Sequence, residues 1–426
     1  MSKVLYFIDS IHYHPDSDEV SVNMLSTRPG AEFSRVVTLS SKQMIPRGWR
    51  GAIREGWYVY YDEVKNQPYT YGNRSRYAKE RFKRYNELMG VLSEQYFTPG
   101  GSEEDAAIMS LCTSETAEVV SFHVNVGHGN CSFILISEGV KQRLWGVDCS
   151  IKDNKGTYLG NLEECLDEIA SRMGKNRSGV HIDRFFLTHP HHDHYNGMEY
   201  LINRGHIDTD TICYINWFFQ MAYDDYLQIM EKLKGLRVRF VEPLIDKSNP
   251  GISFLYPEIR IYPHQKTVDP VIDPDKKQYR IVSNPNNASS VILFELGNRS
   301  MLFPGDLESG GFKRIKCRGV MNSIDYYVIS HHGSKTGHPD FIPCCPVPGA
   351  TFINCLRDRI NKALLMGRDG AYSNVYSDRV LHFFDGKPDC LVLTEKDASG
   401  GKKKFLELVW RSGDVQYYPR QDHSLP

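Results

Sequence analysis

The chain has 426 residues, 41% of them hydrophobic and 24% charged, with a formal net charge of -1. This is globular composition, with chain enough for one large core and a second domain. The near-neutral balance gives no overall case for a nucleic-acid or membrane partner, no run of 18 apolar residues is present to span a bilayer, and charge interrupts the opening MSKVLYFIDSIHYHPDSDEV too soon for a secretory signal, so a cytoplasmic protein without a membrane partner is expected.

In chain order, residues 1–113 read as an accessory unit. KVLYFID, EVSVNML, RVVTLS and WYVYYDEV are strand-like, and Tyr85, Leu88, Met89, Leu92 and Tyr96 follow the spacing of one helix face. TPGGSEEDAA, residues 98–107, reads as an acidic Gly/Pro linker. A second unit spans 118–420. EVVSFHVNVGHGNCSFILIS predicts two strands about a Gly-rich turn, RLWGVDCS a strand ending at an aspartate, and YLGNLEECLDEIASRMGK an amphipathic helix. IDRFFLTH is a strand, GMEYLINRG opens a helix, SVILFELGNRSMLFPGD is a hairpin running into Gly305-Asp306, and IDYYVISHHGS is a strand ending in two histidines. DRVLHFFDG is helical, and CLVLTEKD and KFLELVWRSG are closing strands. Strands alternating with helices predict a layered α/β fold. The ten cysteines include no CxxC pair and read as reduced, buried thiols.

Asp148, His189, Asp306 and His331 each stand at the end of a predicted strand, where layered folds gather their functional groups. The densest cluster is FLTHPHHDHYNG. His189 and His191 are two apart, so an extended segment points both the same way, and Asp193 and His194 follow. Two ligand pairs from one loop suit two adjacent divalent ions, zinc first, with manganese or iron as competitors. Asp306, after a glycine, can bridge them, and His331 or His332 completes the set. Water shared by two such ions ionises near neutral pH, its pKa falling from about 15.7 to roughly 7. A chance HxHxDH in this composition has a probability on the order of 10⁻³, and surface His-rich loops seldom follow a buried strand.

THPHHDH resembles the HxHxDH signature of the metallo-β-lactamase fold, and the order VNVGHGNCSFILI, GVDCS, Asn287 to Ser290, Gly305-Asp306 and HHGS resembles its ComEC-like branch of hydrolases. The resemblance covers roughly 118–415 and implies an αββα sandwich with a dinuclear metal site. It implies that His189 and His191 bind the first metal, that Asp193, His194 and His331 bind the second, and that Asp306 bridges. Asp148 would hold the metal-binding loop by hydrogen bonds, and Asp193, His332 and Asp148 are the expected catalytic residues. His332, Ser334, Asn287, Ser290, His128 and Asn130 are expected beside the substrate. Two departures stand out. The branch's usual VGQGD reads VGHGN at Val126–Asn130, and the third histidine of many superfamily members has only His206 and His264 as stand-ins.

The branch points to phosphodiester chemistry, so the expected activity is a metal-dependent phosphodiesterase or nuclease acting through a hydroxide between two metal ions. Between Arg47 and Arg84 there are ten Lys/Arg against four Asp/Glu, interleaved with Trp49, Trp57, Tyr58, Tyr60, Tyr61, Tyr69, Tyr71, Tyr77 and Phe82. That stretch could carry DNA or RNA, or a partner protein, and its aromatics could equally be core residues. The alternatives are a small-molecule hydrolase of lactams, lactones or thioesters, and a partner-gated effector subunit of a multiprotein, for example defence, system.

Overall fold

Side-chain alternation along the strands explains the layers. Strand Val291–Leu296 sends Ile292, Phe294 and Leu296 into one core and Val291 and Leu293 into another. Strands buried on both faces read as continuous apolar runs, as VILF does here. The computed structural model describes residues 3–13, 17–28, 35–46, 49, 51–96, 114–153, 156–215, 219, 221–240, 251–256, 285–312, 324–334, 336–337, 360–367, 378–384, 389–395 and 401–418.

Two large sheets face each other. One has eight strands in the order Arg237–Phe240, Ile212–Ile215, Arg184–Phe186, Lys141–Cys149, Cys131–Glu138, Glu118–Val124, Phe405–Val409, Asp414–Tyr418. The other has six, in the order Ile252–Tyr256, Val291–Leu296, Arg299–Phe303, Tyr326–Val328, Lys362–Leu365, Leu391–Leu393. Between them Phe294 meets Trp145 at 5.6 Å and Phe186 at 5.2 Å, centroid to centroid. Helices Leu159–Arg172 and Asp224–Leu233 bury Leu166, Ile169, Leu227 and Met230 in the same main core. On the far side of the six-stranded sheet, Phe312 and Val380 from short helices close the second core over Leu302, Tyr327 and Leu365. This is the expected mixed α/β sandwich. The expected hairpin is present, with strands Val291–Leu296 and Arg299–Phe303 joined by Gly297 and Asn298, both at positive φ (56° and 61°) as a type I′ turn requires.

The N-terminal sheet has five antiparallel strands in the order Arg35–Ser40, Glu19–Ser26, Lys3–Tyr13, Tyr58–Asp62, Gln67–Tyr71. Its two faces serve different cores. Val4, Tyr6 and Ile8 pack with Val22, Met24 and Val59 in a core of its own, whereas Phe7, Leu25 and Tyr58 join the main core. The parity changes at Asp9, because Ile8 pairs with Met24 and Ser10 with the adjacent Asn23, which makes Asp9 the extra residue of a β-bulge. The helix Arg76–Tyr96, grouped by sequence with the accessory unit, packs on Asp224–Leu233 and Arg237–Phe240, and Leu88, Met89 and Leu92 are buried in the main core. Tyr58 Oη donates to Ala222 O at 2.6 Å, Tyr85 Oη to Phe219 O at 3.1 Å, and Arg81 grips Asp224 through Nε (2.9 Å) and Nη2 (3.1 Å).

The linker expected at 98–107 lies outside the described residues. Cys131, Cys149, Cys165, Cys213 and Cys390 are buried and unbridged, and the other five cysteines lie outside the described residues. Among the described residues no helix is long and apolar enough to cross a membrane.

Because the N-terminal elements share the main core, Leu92→Ala should cost about 2–5 kcal/mol and shift one common unfolding transition. Hydrogen exchange should show strands 3–13 and 131–138 losing protection together; separate transitions would refute the shared core.

Candidate metal centre

The site is assembled from strand ends and the turns that follow them. Asp148 closes Lys141–Cys149 with a left-handed backbone (φ 53°), rare for a non-glycine residue. Its Oδ1 accepts Thr188 N at 2.8 Å, and its Oδ2 accepts Thr188 Oγ1 at 2.7 Å and His194 Nδ1 at 2.8 Å. The last contact fixes the proton of His194 on Nδ1 and leaves Nε2 to face the site. Gly305 (φ 57°) lets the chain turn against Thr188, where a Cβ would come within 2.9 Å of the threonine side chain, and so delivers Asp306.

Two groups of ligand-type side chains converge, with the atoms of each group within 4.8 Å of one another. One is His189, His191 and Asp306, and the other is Asp193, His194, Asp306 and His332. Asp306 belongs to both. In the second group His194 Nε2 lies 3.3 Å from Asp306 Oδ1 and 3.7 Å from Asp193 Oδ2, and His332 Nε2 lies 3.3 Å from both carboxylates. Ligands about 2.0–2.2 Å from a tetrahedral zinc are about 3.3–3.6 Å apart, so the spacing suits a divalent ion. His191 Nε2, His194 Nε2, His332 Nε2 and Asp306 Oδ1 are buried with no hydrogen-bond partner, a costly state that bound cations would relieve. The residues therefore fit the two-ion site.

Of the two adjacent histidines, either of which could complete the set on spacing alone, His332 stands with the other ligand-type atoms. His332, expected beside the substrate, stands among the ligand atoms. His331, expected as a ligand, is in neither group, and its ring lies against Thr336 (Nδ1 to Oγ1 3.2 Å), Glu308 (Nδ1 to Oε1 3.7 Å) and Asn286 (Nε2 to Nδ2 3.5 Å). The cause is backbone handedness. His331, His332 and Gly333 have φ values of 50°, 49° and 76°, and this left-handed run breaks strand alternation and turns the second ring inward.

The remaining expected residues are distributed around these groups. His128 Nε2 sits 3.2 Å from Asp193 Oδ2 and its ring 4.5 Å from that of His332. Asn130 braces the loop through its backbone, N donating to Asp193 O at 3.2 Å. Asn287 donates to Glu308 Oε2 (3.2 Å) and accepts Gly311 N (3.0 Å), which ties it to the turn after Asp306. Ser290 N donates to Thr188 O at 2.8 Å, and Ser334 Oγ pairs with Thr336 Oγ1 at 3.1 Å. His206 gives Nδ1 to Val180 O at 2.9 Å and belongs to neither ligand group, and His264 lies outside the described residues. Sequence reading missed Gly367, where a Cβ would come within 2.5 Å of His332 Nδ1, and Asp9, whose Oδ1 accepts His192 N at 3.2 Å. The positive φ of Gly367 was invisible in its run MGRDG, and Asp9 is 183 residues from its partner.

The electrostatics divide the histidines. Burial holds His191 down at about 3 and His331 at about 4, and burial with the neighbouring imidazoles holds His189 well below the ordinary range, so all three are neutral. Burial alone would lower His194 and His332 too, but the surrounding aspartates outweigh it, raising His194 well above its ordinary value and His332 to about 9. Burial would likewise raise Asp193 and Asp306, and the cationic imidazoles hold both well below the usual carboxylate range.

Residues 166–316 match the family model of the metallo-beta-lactamase superfamily. That span holds His189, His191, Asp193, His194 and Asp306, while His128, Asp148 and His332 come from outside it. No curated protein matches the chain.

Two outcomes follow. His332→Ala should remove one bound ion per chain or weaken it at least 10-fold, whereas His331→Ala should keep the metal stoichiometry; both are read by metal analysis after dialysis. The raised His332 stabilises the metal-free fold fully below its ordinary 6.5, and that stability is lost as pH rises through about 9. The Tm of the metal-free protein should therefore fall from pH 6.5 to 9. That of the metal-loaded protein should not, because the ion takes the proton's place. Residues 166–316 are thus similar to the metallo-beta-lactamase superfamily, and the two sets of ligand-type side chains that meet at Asp306 draw on that span and on His332 beyond it.

Proposed function

We propose that the protein is a metal-dependent phosphodiesterase. The observation that carries this reading is the sharing of Asp306 between two ligand groups, the arrangement of a two-ion clamp on the attacking and leaving oxygens of a displacement. When bound, two divalent ions would lower the pKa of water at the site and offset the negative charge of a phosphoryl transition state.

The chain's own residues supply orientation and proton handling. Asp193 is the more open of the two ligand carboxylates, its side chain 14% exposed against 2% for Asp306, so its carboxylate is the acceptor nearest to an incoming water or substrate. His128 Nε2 steadies that carboxylate from behind. Asp148 locks His194, and Thr188 locks Asp148. The group His189, His191 and Asp306 includes no third histidine among the described residues.

The ligand side chains are nearly all buried, which favours a small diester or a flexible single strand over a duplex. In the basic and aromatic stretch, Tyr58, Tyr77 and Arg81 are engaged with the body of the protein, while Trp49 and Tyr69 stay exposed, with Arg54 over Trp57 and Lys3 over Tyr69. The exposed Tyr69 ring with its neighbouring Lys3, and the exposed Trp49, support a role in holding a single strand.

With Zn²⁺ or Mn²⁺, the purified protein should hydrolyse bis-(p-nitrophenyl) phosphate and single-stranded DNA or RNA. The His189→Ala/Asp193→Ala double variant should lose at least 100-fold in kcat/KM. Intact phosphodiesters alongside hydrolysed nitrocefin, lactones or thioesters would replace this reading with that of a small-molecule hydrolase.

A further inference from the structure

The loop that carries the ligands is held from outside its own domain. His192 opens the single-turn helix His192–Tyr195, and its N-cap, His191, makes no side-chain capping bond. The first amides of a helix have no partner within it. Here the His192 amide finds Asp9, whose Oδ1 accepts it at 3.2 Å. Asp9 is 1% exposed and is the extra residue of the bulge in Lys3–Tyr13, the kind of irregularity that re-aims a side chain. Its other oxygen accepts Asn23 Nδ2 at 3.0 Å from the neighbouring strand, which fixes the rotation of the carboxylate. His192 itself turns away from the ligands, its Nε2 3.7 Å from Asp225 Oδ2 and its ring edge-on to Tyr195. The amide is thus tied from one side and the ring from the other, with His191 and Asp193 on either side in the chain. A second N-terminal carboxylate, Glu55, is 5% exposed and accepts Ile11 N at 2.8 Å on the strand that bears Asp9.

We propose that Asp9 is a positioning residue of the metal centre: by bonding the His192 amide it sets where His191 and Asp193 present their ligand atoms, so the N-terminal sheet is a working part of the centre rather than a separable attachment. The inference rests on the metal-centre reading and is independent of the substrate. A carboxylate contact costs little conformational freedom when both partners are already buried and fixed, and contacts one bond removed from metal ligands are worth about 10–100-fold in affinity.

The test is metal binding by the full-length chain, stripped of metal, with Zn²⁺ titrated against a chromophoric chelator and Co²⁺ absorption read in parallel. Asp9→Ala should weaken Zn²⁺ binding about 10–100-fold and shift the Co²⁺ bands. Asp9→Asn keeps an acceptor for His192, and Asn23 can turn its Oδ1, which has no partner, toward the new amide, so this variant should return to wild-type binding. Asp224→Ala loosens the same domain contact at Arg81 and Tyr77 but leaves both Asp9 on the His192 amide and Asp225 beside the His192 ring, and should lower Tm while leaving metal affinity unchanged. If Asp9→Ala does not fold, Asn23→Ala frees the carboxylate's rotation and should give a smaller loss with the same spectral shift. Wild-type affinity in Asp9→Ala, or equal losses in Asp9→Ala and Asp224→Ala, would overturn the proposal. A wild-type chain that binds neither ion would instead refute the metal-centre reading on which it stands.

Discussion

Three aspartates, Asp148, Asp193 and Asp306, are brought together where water is nearly excluded, and the rest of the structure depends on how that charge is balanced. Two of them lie 3.3 Å from the same atom, His332 Nε2. Like charges so close in a protein interior repel by several kcal/mol even at an effective dielectric near 20, so positive charge must be present. In the metal-free chain, protons on His194 and His332 supply it; two divalent cations would supply more. The geometry that gathers these groups is itself strained. Asp148, His331 and His332 all adopt left-handed backbone, at about 1–2 kcal/mol each. Such conformations persist when the surroundings dictate them, and here two packed sheets with separate cores on the two faces of one of them provide the rigidity.

Much of this was legible in the chain. Strands that end in ligand-type residues announced Asp148, His189 and Asp306, because a strand gives a side chain a defined direction and its following turn a defined place. The hairpin was legible because Gly297 and Asn298 tolerate the positive φ that a two-residue connection needs. The choice between His331 and His332 was not, since nothing in the residue type of a histidine tells which backbone hand it will take. ICYI, RVRF and KALL escaped notice as strands because four residues carry too little periodicity, and QPYTY because a proline sits inside it. The bulge at Asp9 is a matter of register between two strands, which composition does not encode.

The N-terminal segment illustrates how one residue pattern can have two uses. Its basic and aromatic stretch is the composition expected for contacts with nucleic acid. In the structure Tyr58, Tyr77 and Arg81 hold the sheet and helix to Ala222 and Asp224, while Arg54, Lys65, Arg74, Arg76, Lys79 and Lys83 remain exposed. The same strand that offers Phe7 to the main core offers Asp9 to the metal-binding loop. Packing and site therefore share one face of the sheet, with Asp9 the residue through which the sheet reaches the ligand loop.

The most direct test of the account is anomalous diffraction from crystals of the chain loaded with zinc, with data on either side of the zinc absorption edge. The account predicts two peaks per chain, one among His189, His191 and Asp306 and the other among Asp193, His194, Asp306 and His332, with His331 outside both. A peak bound by His331, or no peak at Asp306, would contradict it.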